Sequence, residues 1–283
     1  MATDPSPILR RRQAGARLRQ LREAAGKSLA DVAAYLECSA AKVSRIENGR
    51  LLARIPDVRN MLDLFEADPS VRDELLALVR ESRERGWWQN YPDVVNDVYG
   101  QFLGTEASAA QIWQYEEYLV PGLLQTRDYA YNVASHRLDV SDEYADRNVE
   151  VRMLRQEILA REVPPQLHFV LDESVLHRIA AFGGTVARQQ LDRLIEVGRQ
   201  SNVILQVQPY SVGITSHIAF TLFGFPDPAD PKIVYLDGLY DATLESRASS
   251  VGHYVVAFDT VRSLALDPAQ SSTFIAELAA STR

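Results

Sequence analysis

Cysteine, long apolar runs and a secretory leader are what this sequence lacks. Its 283 residues include one cysteine, Cys38, so no disulfide can form within the chain, which fits a reducing compartment. No stretch of about 18 consecutive apolar residues is present, which argues against a membrane-spanning helix. The first residues, MATDPSPILRRRQ, contain no apolar segment of the kind that secretion signals need. These absences predict a cytoplasmic protein with no membrane partner.

Motifs of catalysis and metal binding are also missing. The sequence has no H-E-x-x-H, G-x-S-x-G, G-x-x-x-x-G-K or G-x-G-x-x-G pattern. The nearest candidate is the group Asp172, Glu173 and His177, since the last two lie one helical turn apart. A helix start with a charge-satisfied histidine is favoured over an acid–base pair. We therefore expect no catalytic residue, no cofactor and no metal ion, and we predict that the protein is not an enzyme.

Acidic residues exceed basic ones, but the excess is unevenly distributed. The formal net charge of the chain is −8. Residues 1–60 carry 12 Lys and Arg against 6 Asp and Glu, a net charge of +6, whereas residues 61–283 carry 18 against 32, a net charge of −14. A basic N-terminal region on an acidic remainder is typical of a protein that presents one end to nucleic acid. A merely solvated basic arm is the alternative.

The first 85 residues show the apolar periodicity of five short helices. The pattern predicts helices at about 11–25, 28–36, 39–48, 55–66 and 70–85. Serine begins the second and third of these helices, and glycine follows the first and third, as helix caps require. Only Glu37, Cys38 and Ser39 separate the second helix from the third. This spacing predicts a helix-turn-helix, in which the later helix of the pair enters the major groove of DNA.

The third helix, within SAAKVSRIENGR, has two unlike faces. Val43 and Ile46 point towards the other helices, whereas the opposite face carries small, polar and basic side chains. Lysine and arginine there can reach phosphate or guanine, small residues let the backbone approach the groove, and the two helix N-termini suit phosphate oxygens. The candidate DNA-binding residues on these grounds are Ser28, Ser39, Ala40, Ala41, Lys42, Ser44, Arg45 and Asn48.

The stretch LRQLREAAGKSLADVAAYLECSAAKVSRIENGR resembles the DNA-binding domain of lambda-repressor-like, Xre-type transcriptional regulators. The resemblance covers about residues 14–70. It implies that Arg22 on the first helix pairs with Glu47 on the third, which is a structural role for both. It also implies that the outward residues of the third helix face bases and adjacent phosphates, and that Asn48 and Arg50 hold the DNA backbone.

One position departs from that family's pattern. Many relatives have a phosphate-binding glutamine at the second position of the second helix, where this chain has Leu29. Leucine cannot make that bond, which favours a place in the core instead. The alternative to DNA binding is a helical domain of the same kind that binds protein. The charge asymmetry and the basic face of the third helix favour DNA.

The rest of the chain mixes helix and strand patterns. Residues 86–110 are more apolar than a solvated linker requires, and we expect them to dock on the C-terminal domain as one or two helices. The strand candidates are QIWQYEEYLVPG, QLHFVLDE, NVILQVQP, AFTLFGF, KIVYLDG and DATLE. The predicted fold class is α + α/β. A five-helix lambda-repressor-like DNA-binding domain (1–85) is followed by a helical linker (86–110) and an α/β regulatory or dimerisation domain with one sheet (111–283).

The segments YLVPGLLQTRDYA, VLDES and FTLFGFPDP resemble a C-terminal domain found in Xre-type regulators of actinobacteria, over about residues 86–280. The resemblance implies a transcriptional regulator, often encoded beside a small protein that is its partner. Four tyrosines in this region are candidates for an aromatic effector pocket, with packing in the sheet and helices as the favoured alternative. They are Tyr115, Tyr118, Tyr129 and Tyr131.

The predicted function is that of a sequence-specific, DNA-binding transcriptional regulator. Because one short recognition helix covers few base pairs, we expect a homodimer on double-stranded DNA with two half-sites about 34 Å apart. A small partner protein or a small-molecule effector is the candidate signal for the C-terminal domain. The alternative is an antitoxin-like or scaffold protein whose main ligand is a small partner protein. The sequence does not distinguish a repressor from an activator.

Overall fold

The computed structural model describes residues 6–84, 86–136, 140–213, 218–228, 230–238 and 242–282. The chain divides into two compact units, and the boundary falls between Gln89 and Asn90. Within the described ranges, no helix combines the length and apolar character needed to cross a bilayer. A helical unit followed by a unit with a mixed sheet confirms the predicted fold class.

The N-terminal unit consists of α1 (Pro7–Ala24), α2 (Leu29–Tyr35), α3 (Ala40–Glu47), α4 (Ile55–Leu64) and α5 (Pro69–Glu81). All five predicted helices are present, but the first begins four residues earlier than expected. Ser6 accepts a hydrogen bond from the Leu9 N–H, and Pro7 occupies the first helical position, which together start the helix. Three consecutive arginines interrupt the apolar pattern at this end of the helix, which is why the periodicity hid the true start.

A single apolar core joins these helices. Leu18, Val43 and Val58 are completely buried at its centre. Leu29 and Cys38 are partly buried and pack against this core. Leu29 is therefore a packing residue, in agreement with the interpretation of its sequence position.

The turn between α2 and α3 contains a non-glycine residue in the left-handed region. Glu37 has a φ of 49°. The N–H groups of Glu37 and Cys38 donate to the carbonyl oxygens of Ala34 and Ala33 at 3.2 and 2.9 Å, which closes the end of α2 as a Schellman motif. A left-handed non-glycine residue costs roughly 1–2 kcal/mol. No glycine marks this helix end in the sequence, so the spacing alone revealed the turn.

A helical turn (Trp87–Asn90) crosses the boundary between the two units. The C-terminal unit contains seven α-helices and six strands in its described ranges. The helices are α6 (Asp97–Ser108), α7 (Arg127–Ser135), α8 (Asp142–Arg155), α9 (Glu173–Phe182), α10 (Gly184–Val197), α11 (Ala248–Leu264) and α12 (Pro268–Ser281). The strands are β1 (Gln111–Glu116), β2 (Gln166–Asp172), β3 (Val203–Gln208), β4 (Phe220–Gly224), β5 (Ile233–Leu236) and β6 (Thr243–Glu245).

All six strands belong to one sheet in the order β3-β2-β1-β4-β5-β6. The strands β1, β2 and β3 run parallel to one another, while β4, β5 and β6 pair antiparallel with their neighbours. Ile112 of the central strand β1 therefore lies between Leu167 and Phe223. Each sequence stretch with a strand pattern contributes a strand to this sheet.

The first strand is shorter than its sequence pattern suggested. The alternation extends to Val120, but β1 ends at Glu116. Beyond that point the backbone is held by side chains, because the Val120 N–H donates to the Tyr129 hydroxyl and the Gln125 amide donates to the Val120 carbonyl, at 3.3 and 2.7 Å. Side-chain hydrogen bonds of this kind satisfy backbone groups that have no partner in the sheet. They leave no trace in the alternation of apolar and polar residues, so the sequence pattern continues past the end of the strand.

A buried ion pair joins α6 to α8. The guanidinium of Arg155 donates two hydrogen bonds of 2.8 Å to the carboxylate of Glu106. It also donates to the Tyr99 hydroxyl at 3.2 Å and lies 4.8 Å from the ring centre of Phe102. Both partners of the ion pair are buried, with side-chain exposures of 10% and 5%.

Candidate nucleic-acid interface

The helix α3 buries one face and exposes the other. Val43 and Ile46 are buried in the core of the N-terminal unit. Ala40, Ala41 and Arg45 are exposed on the outward side. The structure thus confirms the two faces inferred from the helical period. The small side chains in the first turn of α3 leave its backbone open to close approach by another molecule.

The start of α3 is shaped for an anion. The Ser39 hydroxyl accepts a hydrogen bond from the Lys42 N–H at 3.2 Å, which caps the helix. The backbone N–H groups of Ala40 and Ala41 lie in the first turn, where no intrahelical acceptor exists. Such N–H groups and the positive end of the helix dipole favour a phosphate oxygen.

The start of α2 is different. The Ser28 N–H and hydroxyl both donate to the Asp31 carboxylate at 2.7 Å, and the Ser28 oxygen accepts from the Asp31 N–H at 3.2 Å. These hydrogen bonds from Ser28 lower the pKa of Asp31, which keeps this carboxylate charged. The Ser28 N–H and hydroxyl are therefore already bonded to a carboxylate, and a phosphate contact at Ser28 stays a prediction.

The polar side chains at the outward face of α3 differ in the hydrogen bonds and ion pairs that they already form within the protein. Lys42 Nζ lies 2.7 Å from Asp57 Oδ2 on the first turn of α4, in a partly exposed ion pair. Asn48 donates to the Ser44 carbonyl at 2.8 Å, so these two residues contact one another. Arg45 is exposed and reaches only the Ala41 carbonyl, at 3.4 Å. Among the described residues it has no ion-pair partner.

The loop after α3 adds a third basic side chain to Lys42 and Arg45. Arg50 is exposed and follows Gly49 directly. Its backbone N–H donates to the Arg45 carbonyl at 2.8 Å, and the Gly49 N–H donates to the Ile46 carbonyl at 3.0 Å, which completes a Schellman motif. The chain reversal therefore places Arg50 next to the last turn of the exposed helix.

The structure brings Arg22 and Glu47 together behind this surface. Arg22 Nε and Nη2 donate to the two carboxylate oxygens of Glu47 at 2.7 and 2.9 Å, with side-chain exposures of 10% and 3%. Arg22 Nη1 also donates to the Lys27 carbonyl at 2.9 Å. The hydrogen bond with Glu47 raises the pKa of Arg22. The pair joins the C-terminal ends of α1 and α3, so it orients the exposed helix.

Two glycines let α1 approach α3 closely. A Cβ atom on Gly15 would lie 2.5 Å from the Ile46 carbonyl oxygen, and one on Gly49 would lie 2.8 Å from Arg12 Cα. Both distances are shorter than van der Waals contact with backbone. Gly49 was recognisable as a helix end, whereas the role of Gly15 was missed. Its only sequence signal is a glycine inside a helical pattern.

We expect Gly49→Ala to destabilise the N-terminal unit more than Gly26→Ala does. Both glycines have positive φ, 64° and 65°, so each variant carries a left-handed alanine that costs about 1–2 kcal/mol. Only Gly49 faces a neighbour, Arg12, while nothing lies within 4 Å of a Cβ on Gly26. Overpacking should add about 1–3 kcal/mol at Gly49. Urea unfolding of both variants measures the difference, and equal losses would contradict it.

The remaining sequence candidates lie in the C-terminal unit and are satisfied locally. His177 Nε2 lies 3.1 Å from Glu173 Oε1, and the other oxygen of Glu173 accepts from the Tyr210 N–H at 2.8 Å. Asp172 accepts from the Ser174 N–H at 2.8 Å and so begins α9. This geometry agrees with the favoured interpretation, a capped helix start.

Of the four tyrosines considered for an effector pocket, two are core residues. Tyr115 and Tyr129 are buried, as the packing alternative requires. Tyr131 contacts Asp142 at 3.4 Å near the surface. Of the four, Tyr118, which is 59% exposed, lines a cleft of the C-terminal unit.

Comparison with known families assigns both parts of the chain. A family described as helix-turn-helix domain matches residues 13–75. A second family, described as domain of unknown function (DUF5753), matches residues 99–277. No curated protein and no solved structure matches the chain.

Proposed function

Because the chain belongs to the family of the domain of unknown function (DUF5753) and carries a helix-turn-helix domain, we propose that it is a sequence-specific transcriptional regulator of the Xre type. The observation that carries the proposal is the exposed face of α3. It combines an exposed helix N-terminus, two alanines and Arg45, which is exposed and has no ion-pair partner among the described residues. We further propose that it acts in the cytoplasm on nucleoid DNA and, from its sequence resemblance, that its origin is actinobacterial.

The proposed contacts divide between phosphate and base. The N–H groups of Ala40 and Ala41 bind a phosphate, and their small side chains let the helix sit deep in the major groove. Arg45 reads a guanine, since its guanidinium is exposed and can bond two acceptors of that base. Asn48 and Arg50 hold the DNA backbone. Ser39 and Ser44 line the same surface, while Ser28 contributes little because Asp31 occupies its hydrogen bonds.

Dimerisation is a further part of the proposal. The helix α3 has only eight residues, so one copy contacts few base pairs. Two copies on half-sites about 34 Å apart would multiply the specificity of each. We assign dimerisation to residues 90–283, whose acidic surface also disfavours contact with DNA outside the N-terminal unit. Repression and activation are both compatible with this arrangement.

Replacing Arg45 with alanine should weaken specific DNA binding by about 1–3 kcal/mol and relax the preference at one base pair in each half-site. The operator is first selected from a random duplex library with the full-length protein. Fluorescence anisotropy then measures affinity for this duplex and for a scrambled one at several salt concentrations, since phosphate contacts make binding steeply salt-dependent.

The matched control is Arg188→Ala, which removes an exposed arginine from the C-terminal unit. It should leave specific binding unchanged. Equal losses in the two variants would contradict the role of Arg45. If the full-length protein binds no duplex better than a scrambled one at any salt concentration, the result would favour the alternative function. In that case the protein is antitoxin-like or a scaffold, and its main ligand is a small partner protein.

A further inference from the structure

The C-terminal unit contains a cleft of about 840 Å³. It is lined by β1, β4 and β5 of the sheet, by α6 and α8, and by the segment after β1. A cavity of this size suits a small organic molecule. Much of its wall is aromatic, and these residues are Tyr99, Phe102, Tyr118, Tyr144, Phe220 and Tyr235.

Two of the residues that line this cleft, Asn148 and Glu116, carry hydrogen-bond acceptors. Asn148 is only 8% exposed, and its Oδ1 atom has no hydrogen-bond partner within the described part of the chain. Glu116 receives one hydrogen bond, from Gln114 Nε2 at 2.7 Å, and none of the described residues forms an ion pair with it. A buried acceptor left unpaired is costly, which points to a donor that the described residues do not supply.

The charged residues that act on Glu116 are acidic, so they do not serve as its counterions. Burial raises the pKa of Glu116 to about 7, and the negative charges of Asp237 and Glu117 add to this effect. Two arginines line the same cleft but are engaged elsewhere. Arg155 bonds Glu106 through two nitrogens at 2.8 Å, and Arg152 donates to Gln125 Oε1 at 2.6 Å. The Glu116 region therefore has an excess of negative charge.

We propose that this cleft binds a small organic amine, with its protonated nitrogen at Glu116 and its apolar body between the aromatic rings. An ammonium group supplies both the missing positive charge and N–H donors, one of which suits Asn148 Oδ1. Tyrosine ring faces also attract a cation, which adds to the carboxylate. An anionic ligand would instead have to displace Glu106 or Gln125 from the arginines. Nothing in this proposal depends on DNA binding, so either can fail without the other.

Three probes of one size and shape test the charge requirement. Isothermal titration of the full-length protein at pH 8, where Glu116 is ionised, is carried out with phenethylamine, 2-phenylethanol and phenylacetate. The amine should bind at least tenfold more tightly than the neutral alcohol or the carboxylate. Comparable affinities for all three, tighter binding of the carboxylate, or no binding of the amine at low millimolar concentration would overturn the proposal.

Variants then place the amine in the cleft. Glu116→Gln should weaken phenethylamine binding at least tenfold, whereas Asp259→Asn, the same change at an exposed carboxylate of α11, should have no effect. Asn148→Leu should weaken binding about threefold without lowering the melting temperature, since an unpaired buried amide is replaced by an apolar group of similar size. Unchanged amine affinity in both cleft variants would contradict the assignment, and the Asn148 variant decides if Glu116→Gln does not fold.

Discussion

Replacing Glu47 with alanine should unfold the N-terminal unit under conditions in which the wild-type unit is stable. The variant leaves the guanidinium of Arg22, which is only 10% exposed, without the carboxylate that accepts two of its hydrogen bonds. Removing one member of a buried ion pair costs about 3–5 kcal/mol. That is a large part of the total stability of a small domain, which is about 5–15 kcal/mol. Hydrogen exchange of α1 and α3 should therefore accelerate strongly.

The double variant Arg22→Met/Glu47→Leu distinguishes the loss of the ion pair itself from the cost of leaving Arg22 buried with only the exposed Glu23 as a counter-charge among the described residues. Replacing both partners by apolar residues removes the buried charge, so most of the lost stability should return. DNA binding should not return fully, because the pair also fixes the orientation of α3 against α1. A loss below about 1 kcal/mol in Glu47→Ala would show that water compensates Arg22 and that the pair is not structural.

The second large effect is expected in the other unit. Glu106→Ala leaves the Arg155 guanidinium buried against Phe102, and the Tyr99 hydroxyl at 3.2 Å is then its one remaining hydrogen-bond partner among the described residues. The expected cost is again about 3–5 kcal/mol. Because this pair joins α6 to α8, hydrogen exchange should increase in both helices and in the neighbouring strands.

The two alanine variants serve as controls for one another. Glu47→Ala should change exchange in residues 6–84, and Glu106→Ala should change it in residues 90–282. Faster exchange of α1 and α3 in Glu106→Ala would show that the two units do not unfold independently. A wild-type exchange pattern in α6 and α8 of that variant would show that the ion pair contributes little to stability.

Local rules predicted most of the elements because the caps and apolar periods are local. Ser39 and Gly49 mark both ends of α3, and the strands stand out as short alternating or apolar runs. The rules failed where a tertiary contact decided the outcome. The end of β1, where the Val120 N–H donates to the Tyr129 hydroxyl, is such a place.

The candidate sites also divide into those that a local sequence pattern predicts and those that distant residues form together. The exposed face of α3 follows from the helical period alone. The pairing of Arg22 with Glu47 came only from a family resemblance, since residues 25 positions apart share no local pattern. Lys42 is similarly held by Asp57, 15 positions away. The cleft could not be predicted, because its lining residues come from many separate elements between Val94 and Ala242.

The contact between Lys42 and Asp57 has a consequence for the thermodynamics of DNA binding. Asp57 serves the unbound lysine as a built-in counterion, 2.7 Å from its ammonium nitrogen. If Lys42 turns to a phosphate when DNA binds, as its place on α3 predicts, one negative neighbour is exchanged for another, and the freed carboxylate takes up a cation from solution. The steepness of the salt dependence counts only the net ions released. It should therefore understate the number of phosphates contacted in each half-site by about one.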